Sequence, residues 1–246
     1  MALTIGPPRT IAWVDGAGAD VGATAARPVS FGEGGPLGKS GAEAAVLVGA
    51  SRRVDRLEEH GRWLLSGAWE AVAPASVAVP PESMRRGPGP RAGLVAIGPP
   101  AGLWWSTSIS HAAAGPVVAA AVAIQRIDRS AGDPRITIGV DVEPVHRFVH
   151  PGVARMIAAR AVAEAAPVLS GAVPLLAVSC VKEAIYKADR RQGGRELADY
   201  AWIEARRTGD AGWCGVAIAG GDPTQRFSIG VICAEDSWLA VALGNC

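Results

Sequence analysis

The sequence predicts an α+β fold in two halves, and three observations lead to it. Strand-like apolar runs neighbour one another in chain order, helix-periodic segments are inserted between groups of strands, and a polar, turn-forming stretch falls near the middle. The 246 residues, 49% hydrophobic and 19% charged, suffice for one large domain or two of about 120 residues. No long low-complexity or like-charge run argues for disorder.

The elements follow in order. Val54 to Val72 carries Leu57, Leu64, Leu65, Ala68 and Val72 at helical spacing, which predicts an amphipathic helix with Gly61 and Arg62 inside it. Pro74 to Gly102 is rich in Pro and Gly, holds Arg85, Arg86 and Arg91, and reads as a loop that cannot sustain regular structure for long. Trp104 to Ile109 and Val117 to Ile124 are β-compatible runs flanking Ser110 to Gly115, with His111 at the turn between them. Asp128 to Arg135 is polar and turn-forming, so the halves are expected at 1–128 and 129–246.

The second half opens with Ile136 to Glu143. There Ile136, Ile138, Val140 and Val142 alternate with Thr137, Gly139, Asp141 and Glu143, the period of a half-buried strand. Helices are expected from about Pro151 to Ala165 and from about Val178 to Arg190. Strands are expected at Ala201 to Arg207 and Val216 to Ala219, and as a hairpin-like pair, Phe227 to Cys233 and Trp238 to Leu243, across Ala234 to Ser237.

Charge and composition narrow the function classes. A net charge of +1 gives no reason to expect a nucleic-acid binder driven by phosphate neutralisation. Met1 to Thr10 lacks the layout of a signal peptide, and the longest apolar run, Ala112 to Ile124, is short and broken by Gly115-Pro116; the expectation is a cytoplasmic protein off the membrane. Cys180, Cys214, Cys233 and Cys246 are widely spaced with no Cys-x-x-Cys pair, so they read as reduced packing residues.

Two segments carry the chemistry. Asp141 and Glu143 project from one face of their strand, and residues two apart on a strand lie roughly 7 Å apart, close enough for both carboxylates to serve one hard cation. About forty residues on, Ser179-Cys180-Val181-Lys182-Glu183-Ala184-Ile185-Tyr186-Lys187 stacks Glu183 and Lys187 on one helix face. An Asp-x-Glu by itself is most often a solvated strand face, and a Glu/Lys pair at i, i+4 most often a surface ladder. Two carboxylates on an otherwise apolar strand, however, carry a desolvation cost that a cation compensates. Jointly the segments read as a magnesium–pyrophosphate site.

Their order and identity resemble the Sfp-type 4'-phosphopantetheinyl transferases, the enterobactin-synthase-component-D-like family. The hallmarks of that family are a Gly-x-Asp-x-Glu strand and a later Ser/Thr-x-x-Lys-Glu-Ala/Ser-x-x-Lys helix, matched by Gly139 to Glu143 and Ser179 to Lys187. Ser108-Ile109-Ser110-His111 matches a third element, with Pro100 to Leu103 before it, and Gly61-Arg62 is a weaker fourth match. The resemblance covers roughly Arg56 to Ala188.

The resemblance implies two similar α+β halves related by pseudo-twofold symmetry, with coenzyme A, the co-substrate, bound between them. It implies that Asp141, Glu143 and Glu183 hold Mg²⁺ against the coenzyme A pyrophosphate, an all-oxygen set suited to a hard cation. Glu183 is then the candidate base for a carrier-protein serine, directly or through a water, and Lys187 neutralises charge on the pyrophosphate and departing 3',5'-ADP. Lys182 joins that field, while Arg62, His111 and Ser110 contact coenzyme A around its 3'-phosphate. Phosphoryl attack demands positioning and charge neutralisation more than covalent help, which a metal and lysines supply.

The match is incomplete in places. Ala112-Ala113-Ala114 follows His111 where small polar residues are usual, Val178 stands where an aromatic is common, and Arg85, Arg86 and Arg91 all compete for one basic position. The first fifty residues align with nothing in the family. Gly32 to Ser40 evokes a P-loop, but Glu33 stands where its first glycine belongs, so this stretch reads as a flexible turn. His146 and His150 are bracketed by Pro144 and Pro151 without a zincin glutamate, and read as surface or core histidines.

The expected function is Mg²⁺-dependent transfer of phosphopantetheine from coenzyme A to a serine of an acyl or peptidyl carrier protein, by a monomer. Fatty-acid, polyketide and nonribosomal-peptide carriers stay open, as does Mn²⁺ in place of Mg²⁺. The alternative is a catalytically degenerate module that binds coenzyme A or carrier proteins without turnover. A third reading is a metal-dependent hydrolase of pyrophosphate-containing nucleotides.

Overall fold

The computed structural model describes residues 10–16, 42–51, 57–72, 84–86, 94–96, 103–112, 117–126, 135–154, 157, 173–189, 194–207, 212–220, 222–234 and 236–245. In chain order the elements are β1 (Thr10–Gly16), β2 (Ala42–Ser51), α1 (Leu57–Val72), β3 (Met84–Arg86), β4 (Leu94–Ala96), β5 (Leu103–His111), β6 (Val117–Arg126) and β7 (Ile136–Pro144). There follow α2 (Leu175–Ala188), one 3-10 turn (Leu197–Asp199), β8 (Tyr200–Arg207), β9 (Gly212–Ala219), β10 (Asp222–Ala234) and β11 (Ser237–Asn245). Helices and mainly antiparallel sheets are mixed, as an α+β reading requires.

Two sheets carry the architecture. The first runs β1-β2-β6-β5 and the second β7-β11-β10-β9-β8, with only β1 and β2 parallel. Between them lies an apolar layer in which Val46 and Val48 of β2 and Ala119, Ala121 and Ala123 of β6 meet Ile138, Val140 and Val142 of β7 and Leu239, Val241 and Leu243 of β11. On its other face the first sheet takes Leu64, Leu65, Ala68, Trp69 and Val72 of α1 against Val118, Ala120, Val122 and Ile124. Both faces of β6 are therefore covered, which is why Val117 to Ile124 is an unbroken apolar run instead of an alternating one. Full burial of Leu64 and Leu65 contributes roughly 1.5–3 kcal/mol each.

The second sheet is covered likewise. Ala177, Val178, Val181, Ala184, Ile185 and Ala188 of α2 pack on Tyr200, Trp202, Ala217, Phe227, Ile229 and Ala240. Val178 is fully enclosed there, at a position where an aromatic would demand more room. The molecule is thus layered helix, sheet, sheet, helix.

Five expectations change. The strand from Ile136 is buried on both faces instead of one, because α2 lies over its polar side. The stretch read as a loop from Pro74 to Gly102 contains the short antiparallel pair β3 and β4. Ser110 and His111, expected in the turn, are instead the last two residues of β5, and the first fifty residues, for which no element was expected, supply β1 and most of β2. The helix read from Val178 begins earlier, at Leu175, directly after Pro174, whose fixed φ suits a helix start. Residues 151–154 and 157 are helical; the rest of the segment read as helix to Ala165 lies outside the described residues, as do Gly32 to Ser40 and most of Asp128 to Arg135.

Candidate functional site

The site forms where α2 crosses β7, and a glycine permits the crossing. A Cβ on Gly139 would lie 2.7 Å from the Ala188 amide nitrogen and 3.0 Å from the Ala184 carbonyl carbon, with the Ala184 oxygen closer still. Backbone cannot yield as a side-chain tip can, so only glycine lets the helix rest this low. The low seat brings the helix face of Glu183 and Lys187 over the strand face of Asp141 and Glu143. The Gly-x-Asp-x-Glu spacing thereby acquires a packing reason.

Each carboxylate of β7 has one oxygen held and one bare. Asp141, 4% exposed, accepts at Oδ1 from Ser110 Oγ at 2.7 Å and from Lys187 Nζ at 2.7 Å. Lys187 Nζ also donates to the Val140 carbonyl at 3.1 Å. Glu143, 7% exposed, accepts at Oε1 from the Arg147 guanidinium. Asp141 Oδ2 and Glu143 Oε2 are buried and have no hydrogen-bond partner among the described residues. Buried carboxylate oxygens ordinarily find a donor, so two bare ones on one strand face mark a place where something cationic fits.

Electrostatics agree. Burial, then the negative charge of Asp141, push the Glu143 carboxyl up to about 7; Glu183 adds to the rise, while Arg147 and Lys187 oppose it. Glu183 thus stands within the field of Glu143. The Cys180 thiol, enclosed beneath the helix, is held well above its ordinary range by burial and by Asp141, and its Sγ lies 3.4 Å from the Trp238 carbonyl. It is a neutral packing residue. Among the described residues Cys180, Cys214 and Cys233 are all free thiols.

The residues read from sequence divide accordingly. Asp141, Glu143, Lys187 and Ser110 come together, with Glu183 half-buried on the same helix face as Lys187. Lys182 is 1% exposed, so a ligand it serves must itself be enclosed. His111 is exposed at the end of β5, and Arg62 is exposed on α1. Gly61, next to Arg62, is where α1 closes on Ile109, two residues before His111 and on the same strand face. Ala112 is buried, while Ala113 and Ala114 lie outside the described residues, as does Arg91; Arg85 and Arg86 sit on β3. His146 and His150 are exposed, and His150 Nδ1 accepts the Gly152 amide at 3.2 Å.

Among the described residues no three His, Cys, Asp or Glu side chains are gathered as a ready-made metal site. The fit is therefore that of two bare carboxylate oxygens with a third carboxylate nearby. That suits Mg²⁺, which commonly takes one or two carboxylates and completes its shell with waters and substrate phosphates. Sequence reasoning missed Arg147. It reaches Glu143 through the turn after Pro144, where its amide bonds the Pro144 carbonyl at 3.1 Å, and no periodic pattern marks such a return. Among the described residues no helix is long and apolar enough to cross a membrane. Compared with models of known protein families and with curated proteins, the chain matches none.

Proposed function

We propose that the protein is a 4'-phosphopantetheinyl transferase, moving the phosphopantetheine group of coenzyme A onto a serine of an acyl or peptidyl carrier protein with Mg²⁺. The observation that carries the reading is the pair of bare, buried oxygens, Asp141 Oδ2 and Glu143 Oε2, beneath the helix that bears Glu183 and Lys187. In this reading Asp141, Glu143 and Glu183 hold the cation. When bound, Mg²⁺ supplies charge neutralisation at the diphosphate and orients it.

The chain's own residues do the rest. Lys187 spends two of its three N–H donors on Asp141 and Val140, leaving one for a phosphate oxygen. Glu183 takes the proton of the carrier serine as its oxygen bonds the β-phosphorus and the bond to 3',5'-ADP breaks. His111 and Arg62, exposed on the α1 side of β5, meet the 3'-phosphate end, and Lys182 adds positive charge from within. The pseudo-twofold pairing of the halves belongs to this proposal too, since each sheet carries one helix on its outer face.

Mass spectrometry of an apo carrier protein incubated with coenzyme A, Mg²⁺ and this protein tests the reading. The expected result is a mass gain of one phosphopantetheine, lost in Asp141→Asn and Glu183→Gln. Asparagine is preferred to alanine because Asp141 is a buried partner of Lys187 and Ser110, and deleting it endangers the fold. No gain across several carriers with folded protein sinks the proposal; binding of coenzyme A without turnover favours the degenerate module, and hydrolysis of coenzyme A without an acceptor favours the nucleotide hydrolase.

A further inference from the structure

The edge strands of the two sheets run side by side, joined by side chains. Trp104 Nε1 donates to the Ile136 carbonyl at 2.7 Å, the Ile138 amide donates to Ser106 Oγ at 3.1 Å, and the Val140 amide donates to Ser108 Oγ at 3.0 Å. Each step advances two residues on both strands at a constant separation of 32. The exposed amides of an edge strand are an aggregation hazard, and here a row of hydroxyls from β5 satisfies them. The row breaks its pattern at its last member. Instead of accepting from a backbone amide, Ser110 donates to the carboxylate of Asp141.

That reversal assigns a role. A serine hydroxyl has one proton, and phosphate oxygens near neutral pH are chiefly acceptors, so Ser110 with its proton on Asp141 has none for a phosphate. With Ser110 arriving from one sheet and Lys187 from α2, Oδ1 is held from two sides and the carboxylate plane cannot turn. Oδ2 is left as the bare oxygen. We infer that Ser110 is a positioning residue for the cation site, acting through Asp141 Oδ1, and is not a contact to coenzyme A. The first half thereby sets the geometry of a ligand in the second, one residue before His111. The inference rests on reading Asp141 and Glu143 as cation ligands.

Calorimetric titration of Mg²⁺ into the full chain, with coenzyme A present, tests it. Ser110→Ala is expected to weaken Mg²⁺ roughly 10- to 100-fold, as loss of a group supporting a metal ligand does, whereas Ser110→Thr, which keeps the hydroxyl, stays near wild type. Ser106→Ala removes another buried member of the row and is expected to lower stability without that loss of affinity. Should Ser110→Ala not fold, Ser110→Cys, of similar volume but with a weak donor, takes its place with the same expectation. Coenzyme A affinity in EDTA is expected to be unchanged in either variant. Unaltered Mg²⁺ binding, or a loss of coenzyme A affinity in EDTA, overturns the positioning role while leaving the carboxylate reading in place. A wild-type chain that takes up no Mg²⁺ overturns both.

Discussion

Gly139→Ala is the sharpest probe of how the site is built. The added methyl would stand 2.7 Å from the Ala188 nitrogen, whereas ordinary contact begins near 3.4 Å, so α2 must rise by at least about 0.7 Å, and by more to clear the Ala184 oxygen. The obstacle is helix backbone, so no rotamer change relieves it. The same rise draws the backbone of Lys187 away from Asp141, so the side chain must extend to keep its 2.7 Å bond. Overpacking of this kind costs typically 1–3 kcal/mol, and a rigid backbone obstacle belongs at the upper end, about 3 kcal/mol. For a chain of this length that lowers Tm by roughly 6–12 °C. Gly67→Ala is the control, since its methyl would meet only the tip of Leu47, and the gain in helix propensity, about 1 kcal/mol, offsets the crowding. Urea and thermal denaturation followed by circular dichroism measure both. A Gly139→Ala protein within about 0.5 kcal/mol of wild type would falsify the close-seat argument.

Two more predictions rest on buried charge. Glu143 ionises in the unfolded chain near 4.5 but only at about 7 in the fold, so the folded state keeps its proton longer. Without metal, the contribution of Glu143 to stability is therefore fully present below about pH 4.5 and is lost as pH rises through about 7, by on the order of 3 kcal/mol at about 1.4 kcal/mol per pH unit. Chemical denaturation in EDTA between pH 5 and 8 reads this, and Glu143→Gln should flatten the slope; an identical slope in the variant refutes the assignment. Because the cation prefers ionised Glu143, apparent Mg²⁺ affinity should climb across the same window. Elsewhere, Asp189 accepts from Arg195 at 2.7 Å, Tyr200 at 3.0 Å and Gln225 at 3.3 Å, with 1% of its side chain exposed. Asp189→Ala strands these donors and should cost about 3–5 kcal/mol, read by the same denaturation, with a loss under 1 kcal/mol counting against the network.

Much of this architecture was legible from periodicity. Alternation over Ile136 to Glu143 placed both carboxylates on one strand face, and the i, i+4 spacing placed Glu183 and Lys187 on one helix face. Such local patterns survive because side-chain direction follows from backbone geometry alone. The alanine-rich β2 carries too weak an alternation to declare itself, and its strand character comes from pairing with β6. The turn that returns Arg147 to Glu143 has no periodic signature either.

By itself, then, the sequence determined which residues share a face: Asp141 with Glu143, and Glu183 with Lys187. Only the tertiary structure decided what those faces meet. It covers the polar side of β7 with α2 over Gly139, commits Ser110 to Asp141, and leaves one oxygen of each carboxylate bare. The reason is physical: a face is set by torsions between neighbours in the chain, whereas its partner is set by close packing between segments distant in sequence, which no local repeat encodes.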